Sequence, residues 1–499
     1  MADPQLTPGT WLEFMLRKLD AQARAVQAPT DYYNGVQRLA FATAKFREAF
    51  SRYFPPLANN WMKLCVDTPV SRLGVEGFRF DPDPTKKGWD ETADQEAHAI
   101  WQANNLDAAS QMAHTEAIKC GVCNVLVTPP GDGEKQPLIT IEHPAQSYVF
   151  CDYANRRKRL AAIKRWVDEL DGYAYVYLYL PSYVYRYRST VKVKDRLISE
   201  LQWRSASRSG DDPVLNNPIG VVPMIPLENN PDLIYGGRSD LEVAMPIQDA
   251  VNKLCLDMQV SSEYHAYPQR WASGWESPMG PDGTPIPGEE VEMRVGQSRL
   301  IRASHPDTKF GVFETGQVDN YIKPVEMYVD HLAAVTQTPA YYLKGKMANL
   351  SADALRAADA GLVDRCRHKI LSFGDGWEEV MRVSFLAKGD TTRGRAEAVE
   401  TLWRNPETIS LAQTVDAAVK MRTSLSVPLE YCWELLGWSQ QKILQAKEMM
   451  NLPDSPAEAA RRAAAGGAPV VGRNDLTNGN ASGIVLPPSA QTTRVGAQQ

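Results

Sequence analysis

The sequence lacks the segments that place a protein in or across a membrane. No stretch approaches the roughly eighteen uninterrupted apolar residues that a spanning helix needs. The N-terminus, MADPQLTPGTWLEFML, has no basic stretch ahead of an apolar run, so it does not resemble a secretion signal. We therefore expect neither secretion nor membrane insertion, and a protein that is made and kept in the cytosol.

Cysteines are also few, and the chain has no net positive charge. The chain has seven cysteines scattered over 499 residues, and this odd number fits reduced buried thiols better than a disulfide framework. Its formal net charge is -6, which argues against a broad basic face that grips nucleic acid. Any contact with DNA is therefore expected to be local or weak.

Motifs of two enzyme classes are missing. No G-x-x-x-x-G-K-[ST] occurs, and GDGEK at 131–135 lacks the residues that hold phosphate and magnesium. Asp240, Glu242 and Asp249 could be imagined as a two-metal nuclease site. The first two, however, fall in a predicted first helical turn, where acidic residues interact favourably with the helix dipole. Neither an NTPase nor a nuclease is predicted.

One group of histidine, glutamate and cysteine residues has the composition of a zinc deaminase site. It consists of His114 and Glu116, followed by Cys120 and Cys123. In such enzymes the two pairs lie on separate helices, whereas here only three residues separate Glu116 from Cys120, and Lys119 replaces the expected proline. As a redox pair the order is reversed, because that motif begins a helix. We favour a helix that runs into a buried strand, with no catalytic residue, metal or cofactor.

Length and composition indicate a globular protein of several parts. A chain of 499 residues exceeds what one core usually supports, so two to four structural units are expected. The apolar fraction of 43% and the charged fraction of 23% are typical of soluble folded proteins.

The first half of the chain predicts a mixed unit of helices and strands from about residue 30 to 235. Apolar residues recur at spacings of three and four from Trp11 and again from Val36, which predicts two amphipathic helices. Further elements are expected as a strand at Val75–Phe80, a helical stretch at 94–119, and strands at 124–128 and Leu138–Glu142.

The stretch GYAYVYLYLPSYVYRYR at 172–188 alternates strictly between tyrosine and smaller apolar residues. This period predicts one strand, bent at Pro181, whose tyrosines from Tyr173 to Tyr179 share a face. Stacking on bases is an alternative. We favour a packing surface, because no Arg or Lys is interleaved with the tyrosines, although the far end, with Arg186 and Arg188, is more basic.

The second half predicts long helices around a loop-rich module. Ser239 and Glu242 have the spacing of a capping pair, and Pro246 suits a first helical turn. A Gly- and Pro-rich stretch follows at 266–318, with short strands expected at 291–295 and 299–302. A long helix opens at Ser351 and is expected to kink at Gly374 and Gly376. Shorter helices are expected at 395–450 and disorder from 453 onward.

Several segments together resemble the portal proteins of tailed bacteriophages, in the branch common among siphophages of actinobacteria. They are DYYNGVQRL (31–39), NWMKLCVDTPVSRLGVEGFRF (60–80), IWQANNLDAASQMAHTEAIKCGVCNVLV (100–127), PIGVVPMIPLENNPDL (218–233), GRSDLEVAMPIQDAVNKLCLDMQVSSEYHAYPQRW (237–271) and LSADALRAADAGLVDRCRHKILSFGDGWEEVMR (350–382). Each segment is a weak signature alone, but the six occur in order and cover most of residues 30 to 450.

The resemblance implies an α+β portal fold and a ring oligomer. The implied parts are an N-terminal helix (1–29), a mixed α/β wing (30–237), a two-helix stem (238–265 and 318–337), a small loop and β clip (266–317), a tunnel loop (338–350), a long kinked wing helix (351–394), an α-helical crown (395–452) and a disordered tail (453–499).

The resemblance also implies a function without chemistry of its own. A ring, usually a dodecamer, would occupy the portal vertex of the capsid in the virion, after assembly in the host cytoplasm. Double-stranded DNA would be packaged and ejected through it without sequence recognition. The implied partners are further copies of the chain, the terminase large subunit, a head-tail adaptor protein, and the major capsid and scaffold proteins.

Candidate site residues follow from the same resemblance. The tunnel loop would face DNA, the stem would line the channel, and two tryptophans near the clip would be interface anchors or would pin the clip to the stem. The candidates are Tyr341, Tyr342, Lys344, Lys346 and Asn349 in the loop, Lys253, Asp257 and Lys323 in the stem, and Trp271 and Trp275 at the clip.

Two alternatives stay open from the sequence. The chain could be a zinc-dependent hydrolase or deaminase that uses the cluster at 114–123, which metal analysis of the purified protein would detect. It could also be another structural component of the phage head, such as a scaffold or capsid subunit, although this reading does not explain the clip-like module.

Overall fold

The structure is a computed structural model, and it divides into two compact units, Met1–Leu411 and Ala412–Gln499. The residues that it describes are 7–37, 59–80, 90–193, 201–206, 208, 210, 212–234, 236–266, 270–273, 281–283, 307, 309–312, 319–345, 352–407, 411–438, 442–443 and 445–447.

Eleven helices and thirteen strands are assigned within these residues. The helices are α1 (Pro8–Tyr33), α2 (Trp61–Val70), α3 (Glu91–Ala103), α4 (Leu106–Cys120), α5 (Met245–Ala266), α6 (Asp319–Thr336), α7 (Ala340–Lys344), α8 (Ala352–Ala387), α9 (Thr391–Gly394), α10 (Leu411–Leu425) and α11 (Leu429–Leu435). The strands are β1 (Val75–Phe80), β2 (Val122–Thr128), β3 (Leu138–Glu142), β4 (Ser147–Cys151), β5 (Arg159–Val167), β6 (Ala174–Tyr179), β7 (Tyr183–Ser189), β8 (Trp203–Ser205), β9 (Val214–Asn216), β10 (Met224–Glu228), β11 (Arg270–Ser273), β12 (Lys309–Val312) and β13 (Val399–Trp403).

Helix α1 begins at a threonine cap and covers one face of the largest sheet. The hydroxyl of Thr7 accepts a hydrogen bond from the backbone N–H of Thr10 (3.3 Å). Buried Leu12, Met15 and Leu19 pack into one hydrophobic cluster with side chains of β4, β5 and β6. The helix predicted from Trp11 is therefore confirmed, and it continues well past Leu19 without a break.

The largest sheet has six antiparallel strands. Strands β4 to β8 follow one another in chain order, and β9 also pairs with β7. Antiparallel neighbours need only short turns between them, which fits this order. The predicted strand at Val75–Phe80 is confirmed as β1, and the one at Leu138–Glu142 as β3.

The tyrosine-rich stretch forms a hairpin, and the prediction of a single bent strand is wrong. Strand β6 ends at Tyr179, β7 begins at Tyr183, and Tyr177 lies opposite Arg186. Pro181 lies in the connecting turn, because proline cannot donate to a strand ladder. The prediction that the tyrosines share one face is confirmed for Tyr175, Tyr177 and Tyr179, which alternate along β6 in its pairing with β5.

Helix α8 packs against β10 and β2 of a three-stranded sheet, in the order β10-β2-β3, and forms the main core. It has 36 residues and is about 54 Å long at 1.5 Å per residue. The assigned helix runs through Gly374 and Gly376, the expected kink, without interruption. A Cβ on Gly376 would lie 2.3 Å from Cδ2 of Leu227, so glycine there permits the close approach of β10.

Strand β13 pairs with β1 although the two are far apart in sequence. Val399 lies opposite Phe80 and Thr401 lies opposite Phe78. The expectation of helices throughout 395–450 is therefore wrong at its start, because a short strand stabilised by a distant partner has no helical period to detect. Helices α10 and α11 confirm the expectation farther along the chain.

Helices α5 and α6 pack along each other as an antiparallel pair. Strands β11 and β12, which follow α5 and precede α6, pair antiparallel, with Trp271 opposite Gly311. This pairing brings the end of α5 close to the start of α6. The predicted start of α5 near Pro246 is confirmed, but Ser239 and Glu242 do not cap it, because α5 begins only at Met245 and the Ser239 hydroxyl accepts from the N–H of Leu241 (3.0 Å).

The second unit is a small helical body. Buried Trp433 stacks on Trp438, with ring centroids 5.6 Å apart. Cys432 is buried and its thiol lies 3.6 Å from the carbonyl oxygen of Ala418, which joins α11 to α10. All seven cysteines of the chain are free and six of them are buried, as the sequence predicts.

Several predictions lie outside the described residues. They are most of the helix expected from Val36, the strands at 291–295 and 299–302, the tail from 453, and the candidates Lys346, Asn349 and Trp275. Among the described helices, none is both long and apolar enough to cross a membrane.

Candidate functional site

The chain leaves helix α6 through a short connection whose course is set by proline and glycine. Pro339 precedes α7, and Gly345 ends it with φ +61°, a left-handed conformation that glycine adopts without strain. Three predicted loop residues, Tyr341, Tyr342 and Lys344, thus belong to one helical turn. We call the stretch from Pro339 to Gly345 the junction.

Both tyrosines of the junction form hydrogen bonds with residues of neighbouring elements. The hydroxyl of Tyr341 donates to Oδ1 of Asp359 on α8 (2.5 Å), and Nη2 of Arg72 donates to the hydroxyl of Tyr342 (3.1 Å). Arg72 also pairs with Asp359 (2.8 Å). The two rings stack with centroids 4.6 Å apart, so these tyrosines anchor the junction to its neighbours.

The electrostatics of these contacts favour a stable anchor. Burial alone would lower the pKa of Arg72, but its bonds to Asp359 and Tyr342 outweigh burial and raise that pKa. Burial and the bond to Asp359 raise the pKa of Tyr341. The guanidinium therefore stays charged and the phenol stays neutral over the physiological range.

Lys344, at the end of α7, is held by an exposed ion pair. Its Nζ lies 2.6 Å from Oδ1 of Asp330 on α6, and the two side chains are 33% and 53% exposed. Exposed pairs of this kind typically contribute less than about 1 kcal/mol. Another anion can therefore replace Asp330 at little cost.

A buried charge cluster of Asp240, Arg365, Lys369 and Asn229 lies at the base of the junction. Nζ of Lys369 is 2.8 Å from Oδ2 of Asp240 and donates to Oδ1 of Asn229 (2.6 Å). Arg365 pairs with the same carboxylate, and its Nη1 donates to the carbonyl oxygen of Thr336 (2.7 Å). The cluster thus joins α8, the entry to α5 and the end of α6.

This arrangement keeps Asp240 ionised. Burial alone would raise the pKa of its carboxyl, but Arg365 and Lys369 outweigh burial and hold the pKa well below its usual range. Burial lowers the pKa of Lys369, and Asp240 opposes that shift. Both cations are saturated by protein oxygens, so Asp240 has a structural setting and not that of a nuclease ligand.

The stem candidates differ in their surroundings. Lys253 and Asp257 pair with each other one turn apart on α5, whereas Lys323 lies exposed on α6. Trp271, which the sequence resemblance assigns to a predicted clip, lies on β11.

The four residues of the deaminase-like group, His114, Glu116, Cys120 and Cys123, do not all converge, and His114 and Cys123 lie apart from the other two. His114 is fully buried under α8, where its Nε2 accepts a hydrogen bond from Nε1 of Trp377 (2.9 Å) and its ring stacks on Phe373. Burial lowers the pKa of His114 to about 3. Cys123 lies buried on β2 and burial raises its pKa far above the usual value. The sequence prediction of a helix running into a buried strand is confirmed.

A different trio, Glu116, Cys120 and His143, lies close enough to hold a metal ion in the described part of the chain. The N–H of Ala145 donates to Nδ1 of His143 (3.0 Å), so the proton of the neutral ring lies on Nε2, which faces Glu116 at 3.1 Å. Lys119 already pairs with Glu116 at 2.7 Å. The trio fits an ion-paired cluster better than a metal site, because its facing nitrogen carries a proton.

Comparison with known proteins decides between the alternatives. The family described as "Phage portal protein, SPP1 Gp6-like" matches residues 12–452. The chain belongs to this family. It is 26% identical over 435 residues to the portal protein of Mycobacterium phage L5, across 83% of this chain and 82% of the relative. It is 28% identical over 416 residues to the portal protein of Mycobacterium phage D29, across 79% and 78%.

Family membership confirms the resemblance read from the six segments. Phage portal proteins are structural, which agrees with the reading that the chain is no enzyme, and they are components of the phage capsid. The portal alternative is therefore preferred to a zinc enzyme and to a scaffold or capsid subunit.

Sequence reasoning missed the buried charge cluster and the anchor of the junction. Lys369 sits at helical spacing between buried Cys366 and buried Phe373, so a cation interrupts the apolar stripe of α8. This interruption is a usable signal for a buried ion pair. Arg72 and Asp359 carry no such signal, because their partners lie far away in the sequence.

Proposed function

We propose that copies of this chain close into a ring through which double-stranded DNA passes during packaging and ejection. Helices α5 and α6 would form the stem, with β11 and β12 at the base of the clip. Helix α8 would be the long wing helix, and α10 and α11 would belong to the crown. Twelve copies is the number that the resemblance implies.

The observation that carries this proposal is the anchored junction between α6 and α8. Asp359 and Arg72 hold its tyrosines, and Arg365 holds the end of α6. The chain therefore reaches Lys344 from a fixed base, and Lys346 follows directly after Gly345. In a ring, these lysines would surround a common axis and contact phosphates without reading sequence.

The exposed pair of Lys344 with Asp330 supports an adjustable contact. A passing phosphate can take the place of Asp330, because the pair is largely open to solvent. Each whole copy carries a net charge of -6, so the ring would repel DNA outside local basic regions. Such a channel would let the duplex slide.

The remaining predicted roles follow the same arrangement. Lys323 would line the channel from its exposed position on α6, and the paired Lys253 and Asp257 would line it from α5. Trp271 and Trp275 would be interface anchors near the clip. The terminase large subunit would dock at the clip and supply the work, while the head-tail adaptor, capsid and scaffold proteins would contact the outer surfaces.

A phage that carries Lys344→Ala together with Lys346→Ala tests the role of the junction. We expect particles with an assembled portal but with altered length or retention of packaged DNA, measured by gel analysis of virion DNA and by DNA release on heating. A matched control replaces Arg157 and Lys158, two exposed cations of the β4–β5 loop, with alanine. Unchanged genome length and retention in the first phage would remove the proposed role of these lysines.

A further inference from the structure

The sheet face opposite α1 carries cations and aromatic rings in cross-strand order. Directly opposed residues of antiparallel strands point to the same face. The opposed pairs are Lys164 with Tyr177, Trp166 with Tyr175, Tyr177 with Arg186, Tyr175 with Arg188, and Arg188 with Arg204. We call Lys164, Trp166, Tyr175, Tyr177, Arg186, Arg188 and Arg204 the cationic face.

The hairpin supplies the positive charges that are missing along β6 itself. Cζ of Arg186 lies 5.2 Å from the ring centroid of Tyr177, and Cζ of Arg188 lies 4.4 Å from that of Tyr173. Nζ of Lys192 lies 5.6 Å from the same Tyr173 ring. The cations thus make cation–π contacts with the tyrosine rings.

Among the described residues, positive charge exceeds negative charge at this face. Lys164, Arg186, Arg188, Lys192 and Arg204 provide cations. Among the same residues, Asp168 pairs with a sixth cation, Arg208, at 2.5 Å, and two further carboxylates oppose the others. Glu142 pairs with Lys164 at 2.6 Å, and Asp171 accepts from the hydroxyl of Tyr175 at 2.5 Å. The excess is local, since the whole chain is acidic.

We propose that the cationic face binds the phosphate backbone of double-stranded DNA, independently of base sequence. The cations are spread over β5, β7 and β8, so they span about 14 Å at the usual strand spacing of about 4.8 Å. Guanidinium groups suit phosphate oxygens, which they can contact through two parallel hydrogen bonds. The choice of duplex DNA as occupant rests on the proposed function, which brings DNA to every subunit.

Two other occupants fit the face less well. Single-stranded DNA is usually held by stacking of its bases on open aromatic rings, whereas here Arg and Lys side chains lie over the tyrosines and over Trp166. A protein interface usually has an apolar centre that is depleted of charge. Here Arg186 lies over Tyr177, whose strand β6 runs between β5 and β7.

The test measures how duplex binding depends on salt. A labelled duplex of about 30 base pairs is titrated with the full-length protein between about 50 and 200 mM salt, and anisotropy gives the affinity. The test variant carries Arg186→Gln, Arg188→Gln and Arg204→Gln. The matched control carries Arg156→Gln, Arg157→Gln and Lys158→Gln, which remove the same charge from the exposed β4–β5 loop.

We expect the test variant to bind at least about tenfold more weakly near 50 mM salt, while the control stays near the wild type. The slope of log affinity against log salt is negative, and its magnitude should fall by about 0.9 for each lost phosphate contact, or about 2.7 for three. Arg204→Gln alone, at an exposed position, should lower the magnitude of the slope by about 0.9. This single variant controls for misfolding of the triple variant.

Equal losses in the test and control variants would overturn the proposal. So would tighter binding of the corresponding single strand, or equal competition by poly-glutamate at the same charge concentration, which would indicate an acidic protein. Ring formation is scored separately by electron microscopy. Rings with an unchanged salt slope would refute this inference alone, and absence of rings would refute the proposed function alone.

Discussion

Two sets of ion pairs hold the two ends of the connection between α6 and α8, and they differ in burial. At the base, Asp240 pairs with Arg365 and Lys369, whose side chains are 9% exposed or less. At the far end, Lys344 pairs with Asp330, and those side chains are 33% and 53% exposed. The buried Lys369 therefore keeps its partner and stabilises the fold, whereas the exposed Lys344 can exchange its partner.

The largest effect is expected from Asp240→Asn. This change leaves Arg365 and Lys369 buried without a carboxylate, which should lower the free energy of unfolding by about 3–5 kcal/mol. Urea unfolding followed by circular dichroism measures the loss. The matched control is Asp257→Asn, whose partner Lys253 is partly exposed, and we expect less than about 1 kcal/mol there. Equal losses in the two variants would contradict the distinction by burial.

A second prediction concerns the close packing of α8 on β10, which a substitution of Gly376 tests. In Gly376→Ala the new Cβ would lie 2.3 Å from Cδ2 of Leu227, so we expect a loss of about 1–3 kcal/mol from overpacking. In Gly374→Ala the nearest atom, Nε1 of Trp403, is 3.5 Å away. That control should be neutral or gain up to about 1 kcal/mol from better helix propensity. A stable Gly376→Ala variant would show that the two elements can separate freely.

A third prediction concerns how the stability of the fold depends on pH through His114, which is buried in its neutral form under α8. The pKa of His114 is lowered by burial to about 3, whereas an unfolded histidine titrates near 6.5. The unfolded state therefore binds the proton first, and stability present above about pH 6.5 is lost as pH falls toward 3. Between pH 7 and pH 5 the loss should be about 2 kcal/mol.

Urea unfolding at a series of pH values measures this slope. His114→Gln should remove that contribution, because no titrating group remains at the position. The control His368→Gln, at an exposed position of α8, should keep the slope of the wild type. An identical slope in wild type and His114→Gln would place the pH dependence elsewhere.

The smallest effect on stability is expected at the exposed pair. A double-mutant cycle with Lys344→Ala and Asp330→Ala should give a coupling below about 1 kcal/mol, because both side chains are well solvated. Asp330→Ala should also release Lys344 and increase the magnitude of the salt slope of duplex binding by about 0.9. A coupling above about 2 kcal/mol would make the pair a fixed part of the fold.

Local patterns predicted much of the fold. The strand at Val75–Phe80 and the start of α5 near Pro246 follow from alternation and from turn chemistry that a few neighbouring residues encode. Predicting the β6–β7 hairpin would have required choosing a turn over a bend at Pro181. The pairing of β1 with β13 depends on residues far apart in sequence, and no local period reports such a contact.

The candidate site was predictable in position but not in detail. The order of helices places Lys344 after α6, as the resemblance implies. Its pairing with Asp330, and the anchoring of Tyr341 by Asp359, depend on how α7 folds back between two helices. The cationic face could likewise not be predicted from the sequence, because Arg186 contacts Tyr177 only across the hairpin.

Cryo-electron microscopy of the purified full-length protein tests directly whether the chain forms a ring around DNA. We expect closed rings in which the chain following Gly345 lines a central hole wide enough for a duplex. Single copies in solution, or rings in which that segment lies on the outer rim, would contradict it.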